Sequence, residues 1–384
     1  MDFALNDQQK DIKQSARKFA EKEFPAVAKI CDETEKMDMD LLEKARDNGF
    51  IGGIIPEAYG GPALSFFENS LIVEEFWRID PGIGQAIISV TFGAEILIAY
   101  ASEEHKKKYL APLVEGRKIL ATAITEPNAG SDVTSATTSA VKDGNEYVIS
   151  GNKMFITNGS LCDYMMVLCK THPNEPSPHN QYSMIMVDKD AKGLEVNKIK
   201  NKLGIRASNT TEVALDEVRV PVANLIGKEK EGFKHIFNLF NRERITVCAQ
   251  ATGLAQGALE QAINYTLQRK QFRAPLASFQ AIRFKIAEMA TLVEACRSLY
   301  YRAAWTIDSG IEDHALVGMA KWFCGEKCVS VVQDALQLHG GYGFMNEFDI
   351  ARFYRDAKIV EIYEGTKEME KMQIANALLG KPGK

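Results

Sequence analysis

Apolar residues fall at helical spacing from the start of the chain. Ile12, Ala16, Phe19 and Ala20 share one face, and Asn6 has the side chain to cap such a helix. Phe24-Pro25 interrupts the pattern, and a shorter helix around Leu41, Leu42 and Ala45 is expected to stop at Asn48-Gly49. Two apolar helices are expected over residues 65–78 and 83–101, separated by Asp80-Pro81-Gly82, with Ser102 capping a short basic helix through Tyr109. After Lys118 the helical period fades. Asp143-Gly144 between short alternating runs is a hairpin signal, and strand-like segments follow at 164–169, 183–187 and 211–220. From Glu231 the helical period returns in long segments near 244–269, 278–309 and 314–338, lengths that favour an antiparallel bundle. The expected architecture is α+β: a helical domain over 1–118, a β domain over 119–230 and a helical bundle over 231–384.

Within the third part, Ala249, Gly253 and Gly257 repeat every four residues. This stripe permits another helix to come close, and ordinary tight packing is the plainer account. With no internal repeat, low-complexity tract or flexible linker, the three parts are expected to pack together, and a cleft between them is the natural ligand site.

Composition narrows the function. The 384 residues are 46% hydrophobic and 25% charged with a net charge of -5, which offers no basic field for nucleic acid. No apolar run reaches membrane-spanning length without polar interruption. The 83–101 segment carries Gln85, Ser89, Thr91 and Glu95, so membrane insertion is not expected. The opening residues, Met1-Asp2-Phe3-Ala4-Leu5-Asn6, lack a charged and an apolar leader region, and the seven scattered Cys form no paired framework; both favour a cytoplasmic setting. Cys324 and Cys328 stand at i, i+4 with no His cluster nearby and read as small core hydrophobes, and the six His show no metal-ligand spacing.

The candidate chemistry centres on Tyr363-Glu364-Gly365-Thr366. A carboxylate set between apolar neighbours and a permissive glycine is a candidate for a raised pKa, as a general base requires. The plainer role for Glu364 is to cap a helix beginning at Thr366. Two further segments, from Thr122 to Asp132 and from Lys153 to Gly159, read as turns that place hydroxyls and free N–H groups beside strand ends. Such groups suit the polar edge of a planar heterocycle, with Phe155 against its face; turn chemistry without a ligand is the alternative.

In these motifs the sequence resembles the acyl-CoA dehydrogenase family of flavoenzymes. The resemblance rests on Ile124-Thr125-Glu126-Pro127 through Gly130-Ser131-Asp132, on Lys153 to Gly159, on Lys202-Leu203-Gly204-Ile205-Arg206-Ala207-Ser208 and on Arg269-Lys270-Gln271-Phe272. It continues through Gln337-Leu338-His339-Gly340-Gly341-Tyr342-Gly343 and Arg355-Asp356-Ala357-Lys358 to Tyr363-Glu364-Gly365-Thr366, covering nearly the whole chain. It implies an N-terminal helical domain, a middle β-barrel and a C-terminal four-helix bundle assembled as a homotetramer. It also implies FAD, acyl-CoA as substrate and an electron-transfer flavoprotein as electron acceptor.

By the same resemblance, Thr122, Ile124, Thr125, Phe155 and Thr157 would meet the flavin, with Phe155 where many relatives have Trp. Arg269 and Phe272 would hold the diphosphate and adenine side, joined across a subunit interface by Gln337 and Gly341, with Thr366 near the nucleotide in the same subunit. Arg273 stands where Gly is common in relatives. Glu364 would take the substrate α-proton, and its backbone N–H would join a ribityl hydroxyl in polarising the thioester carbonyl. Glu243 occupies the position from which the isovaleryl and long-chain branches supply their base, or else it pairs with Arg244. Asn241 and Arg244 would contact the pantetheine arm, and Ser131 the CoA edge. Ile88, Thr91, Phe92 and Tyr363 would line an acyl pocket whose aromatic bulk points to a short, branched or alicyclic group such as cyclohexanecarboxyl-CoA. An enoyl-CoA reductase, a flavin oxidase on the same scaffold and a catalytically silent helical scaffold are the competing readings.

Overall fold

Asn6 caps the first helix as expected in the computed structural model, which describes residues 4–380. Its side chain accepts from the Gln9 N–H at 2.8 Å, and Gln9 accepts from the Asn6 N–H in return. Met1 to Phe3, which open the stretch read as lacking a leader, lie outside the described residues. Helix α1 (Asp7–Glu23) is followed by α2 (Ala28–Thr34), which the pattern had not marked, and α3 (Met39–Asp47). A Ser65–Glu68 capping box starts α4 (Phe66–Ile79), and Asp80 starts α5 (Pro81–Ile88) by accepting from the Ile83 N–H at 2.8 Å.

The single helix expected over 83–101 is broken. A 3₁₀ turn at Ser89–Thr91 and Gly93 at φ +95° separate α5 from α6 (Ala94–Tyr100), because a Cβ at Gly93 would overlap Thr122 Oγ1. By length and composition alone, Pro81–Tyr100 would pass as a membrane span, but 61% of its most apolar window is buried inside the protein. Ser102 caps α7 (Glu103–Val114), which outlasts the expected end at Tyr109.

The strands follow as β1 (Leu120–Ala123), β2 (Ser139–Asp143), β3 (Glu146–Thr157), β4 (Tyr164–Lys170), β5 (Tyr182–Asp188), β6 (Leu194–Lys198), β7 (Thr210–Pro221) and β8 (Leu225–Ile226). Among the described residues their order is β6-β7-β3-β2-β4-β5-β8, with β1 parallel to β4. Among the described residues only Ser139 and Lys170 pair β2 with β4. Ile149, Met165, Val167, Ile185, Val187 and Val213 fill the core of the sheet.

The third layer holds α8 (Gly232–Gln268), α9 (Gln280–Asp308), α10 (His314–His339), α11 (Asp349–Ala357) and α12 (Lys367–Leu379). Helix α8 is 37 residues long and begins well before the expected position near Arg244. Its glycine stripe does face another helix: a Cβ at Gly253 would overlap the Glu74 carbonyl, and one at Gly257 the Arg78 carbonyl, both on α4. Gly257→Ala is therefore expected to lower stability by about 1–3 kcal/mol, read as a lower midpoint in urea with unchanged slope, because two backbones must separate to admit one methyl.

Candidate active site

The segment after α11 makes a short 3₁₀ turn at Lys358–Glu361 and then leaves helical geometry. Thr366 caps α12 by accepting from the Met369 N–H, so the capping alternative for Glu364 does not hold. Glu364 instead sits at φ +54° before Gly365 at φ +109°, a left-handed conformation unusual for a side chain with a Cβ. Its backbone N–H and its Oε2 find no protein partner among the described residues, although Oε2 is buried.

Burial pushes the Glu364 carboxyl up to about 7; Lys321 and Arg244 pull against it and Glu95 adds to it. Glu243 is raised well above its ordinary value, first by burial and then by Glu95 and Glu364, and burial raises Glu95 as well. Glu95 is thus a third carboxyl of this group. It was visible only as a polar interruption in an apolar helix.

The proposed pairing of Glu243 with Arg244 is not observed. Arg244 Nε donates to Glu370 Oε1 at 2.8 Å and its Nη1 to Asn241 Oδ1 at 2.8 Å. A Cβ at Gly365 would overlap that same Glu370 oxygen, so the Arg244–Glu370 pair lies directly beneath the Glu364 loop. Arg244, expected on the pantetheine arm, is buried and committed to supporting this loop, because Glu370 has no other cation as close. Asn241 keeps its amide NH₂ free of protein partners, and Ser131 is exposed in its turn.

Tyr363 sends its hydroxyl to Gln250 Oε1, and Gln250 Nε2 donates to Gln85 Oε1 at 2.9 Å. Ile88 and Tyr363 pack on the same apolar cluster of the bundle, while Phe92 packs on a second with Ile96 and Ile124. Thr91, half-buried in the turn between α5 and α6, lies between them in the chain. The residues expected to line the acyl pocket thus come from the seam of the three layers.

On the β side, Thr122 does not fit its expected role in cofactor binding. It is 4% exposed and its Oγ1 donates to the Phe92 carbonyl at 2.8 Å, anchoring the turn before α6. Thr125 fits better, since neither its N–H nor its hydroxyl has a protein partner among the described residues, and the same is true of the Thr157 hydroxyl. The segment Lys153 to Thr157, read as a turn, is the end of β3 carrying a bulge. Phe155, at φ +61°, swings its ring 65% into the open there. Free donors beside an exposed ring fit a flavin.

The two segments are tied by a buried pair that the residue pattern did not reveal. Lys153 Nζ donates to the Ile124 carbonyl and to Glu126 Oε1, each at 3.0 Å, and Glu126 also accepts from the Thr137 and Thr138 N–H groups at 2.7 and 2.8 Å. Burial alone would raise Glu126, but Lys153 and these N–H groups outweigh it and hold the carboxyl at about 2.

The expected nucleotide residues lie elsewhere. Arg269 and Gly341 line a cleft of about 620 Å³ with Tyr265, His339 and Tyr342. The Arg269 guanidinium stands 5.4 Å from the Tyr342 ring centre. Phe272 is 91% exposed at the tip of a two-residue hairpin turn. Phe272 and Arg273 both have positive φ in that turn, which explains why Gly suits the Arg273 position. Gln337 is exposed on the last turn of α10. Arg269 follows the far end of α8 from Arg244, about 37 Å along the helix axis. Thr366 stays with the Glu364 loop.

Comparison with known proteins follows the same three layers. Family profiles described as acyl-CoA dehydrogenase N-terminal, middle and C-terminal domains match residues 6–117, 121–218 and 230–379. The chain is 40% identical to a cyclohexane-1-carbonyl-CoA dehydrogenase of Geobacter metallireducens, over 96% of this chain and 95% of that one. It is 37% identical to a 3-(aryl)acrylate reductase of Clostridium sporogenes, over 98% of this chain and 99% of that one. The solved butyryl-CoA dehydrogenase of Megasphaera elsdenii superposes with a TM-score of 0.94 at 35% identity, covering 99% of this chain and all of the other.

Proposed function

Because the chain belongs to the acyl-CoA dehydrogenase family and is an FAD-dependent oxidoreductase acting on acyl-CoA, we propose that Glu364 is the base that removes the α-proton as the thioester becomes a 2-enoyl-CoA. The observation that carries this is the Glu364 backbone: a left-handed residue whose carboxyl is pushed up to about 7 and whose own N–H has no protein partner among the described residues. A thioester carbonyl accepting that N–H has its α-proton acidified beside the carboxylate that takes it. When bound, FAD supplies the acceptor to which the β-hydrogen leaves as hydride. Thr125, Thr157 and Phe155 are the residues that would hold its ring, with Arg269, Phe272, Gln337 and Gly341 on the nucleotide. Glu243, whose carboxyl burial and Glu95 push upward, is not the base in this reading.

The separation of about 37 Å along α8 between Arg244 and Arg269 supports an assembly in which each nucleotide site is completed by a second chain, and a homotetramer is proposed on that ground. Phe272 and Phe344, 91% and 88% exposed, are the kind of side chains such an interface would cover. An electron-transfer flavoprotein is the proposed electron acceptor. The bulk of Phe92 and Tyr363, together with the names of two relatives, supports a short, branched, alicyclic or aryl acyl group and leaves the reductive direction as a second reading.

Anaerobic bleaching of flavin absorbance against a panel of straight-chain, branched, alicyclic and arylpropionyl acyl-CoA esters tests both parts. Bleaching by alicyclic or branched esters that persists in Glu243→Gln is expected. Bleaching lost only in Glu243→Gln would move the base to α8, and bleaching confined to long straight chains would overturn the pocket reading.

A further inference from the structure

Nothing in the backbone of the Glu364 loop holds it open. The Ile362 and Tyr363 N–H groups turn back to the Ile359 carbonyl at 2.9 and 3.2 Å, while Glu364 and Gly365 donate to no protein atom among the described residues. The missing restraint comes from another helix. Lys321 on α10 is 2% exposed, and its Nζ donates to the Val360 carbonyl and to the Gly365 carbonyl, each at 2.8 Å. Those two carbonyls bracket Glu364. A left-handed residue with a Cβ is strained and persists only where its surroundings over-determine it, and here one buried ammonium spans the strained segment from below.

We propose that Lys321 is the positioning residue of this site: it clamps both ends of the loop, so that the Glu364 carboxylate and the Glu364 N–H point to the same place, and it sets a buried ammonium beneath them. This rests on the reading of Glu364 as the base. The charged groups facing Glu364 come from four elements: Glu95 on α6, Glu243 and Arg244 on α8, Lys321 on α10 and Glu370 on α12. Arg244 is already paired with Glu370, which leaves Lys321 as the cation in this set without a carboxylate in ion-pair contact. Its removal should therefore be felt at Glu364. The sign is fixed: Lys321 lowers the Glu364 pKa, so losing its charge raises that pKa and moves the ascending limb of kcat/KM to higher pH.

Two variants separate charge from grip, with kcat and KM measured across pH. Lys321→Gln keeps a donor for the carbonyls and removes the charge. It is expected to shift the limb upward by about one pH unit, so that kcat/KM well below the limb falls about tenfold. Lys321→Arg keeps the charge but replaces a point donor by a planar fork that does not reproduce both bonds. It is expected to leave the limb in place and lower kcat severalfold at little change in KM. A limb unmoved in Lys321→Gln overturns the charge role, and a wild-type kcat in Lys321→Arg overturns the clamp. If Lys321→Gln fails to fold, Lys321→Arg still decides the clamp. Glu364→Gln assayed alongside separates the two ideas: undiminished turnover there removes the base itself, whereas a silent Glu364→Gln with unmoved Lys321 variants removes only this proposal.

Discussion

Glu364→Gln is expected to lower the rate of flavin reduction on the order of 10³-fold, within the range a positioned general base contributes. The substitution keeps size, backbone conformation and the N–H that would bind the thioester carbonyl, so acyl-CoA affinity should change little. Stopped-flow absorbance with a bleaching substrate reads the rate, and equilibrium titration with a non-reducing acyl-CoA analogue reads the affinity. A parallel loss of both would mean that the loop had collapsed rather than that a base had been removed. In the unsubstituted protein the carboxyl must be ionised to act, so kcat/KM should rise with pH through about 7 and then level. Glu243→Gln should change this little, since the base in this reading is Glu364 rather than Glu243.

Lys153→Met should cost about 3–5 kcal/mol of stability, the usual effect of leaving a buried charge without its partner. Glu126 is 5% exposed and Lys153 1% exposed, so water does not replace the lost ammonium. The loss should be accompanied by weaker retention of FAD, because the Lys153 bond to the Ile124 carbonyl orients the peptide whose far side is the Thr125 N–H. Combining Lys153→Met with Glu126→Gln should recover much of the stability, since the amide oxygen can still accept from the Thr137 or Thr138 N–H groups and no charge remains. Denaturant midpoints of the two single variants and the double give the coupling directly. The same pair predicts an acid dependence: with Glu126 held at about 2 when folded and near the ordinary carboxylate value when unfolded, its contribution is full above about 4.3 and lost as pH falls through 2. A double variant no more stable than Lys153→Met would show that the ion pair is not the source of the effect.

The parts of the fold legible in the sequence were those set by local spacing. Capping at Asn6 and Ser102 and the Asp143-Gly144 hairpin stand where the residues place them. The long helices of the bundle were also legible: the helical period returns at Glu231 and α8 begins at Gly232, ahead of the long segment expected near Arg244. The expected helix over 83–101 failed at Gly93 because its break depends on Thr122, distant in sequence, pressing against the chain. The bulge at Phe155 was missed for the same reason, since bulges are set by the partner strand β7 rather than by the bulged residues.

By itself, then, the sequence determined the three-layer order, the family and the identity of Glu364 as the residue to watch, because these follow from period, motif and spacing along one chain. Only the tertiary structure decided what surrounds that carboxylate. Lys321, Gln250 and Glu95 lie on helices far from it in sequence, and each looks locally like a lone polar residue in an apolar stretch. Whether such a residue is a solvated accident or a buried partner depends on which helix it meets. That is a property of packing: the energy of a buried charge is set by the atoms within a few ångströms, and no spacing rule along a single segment reports which atoms those will be.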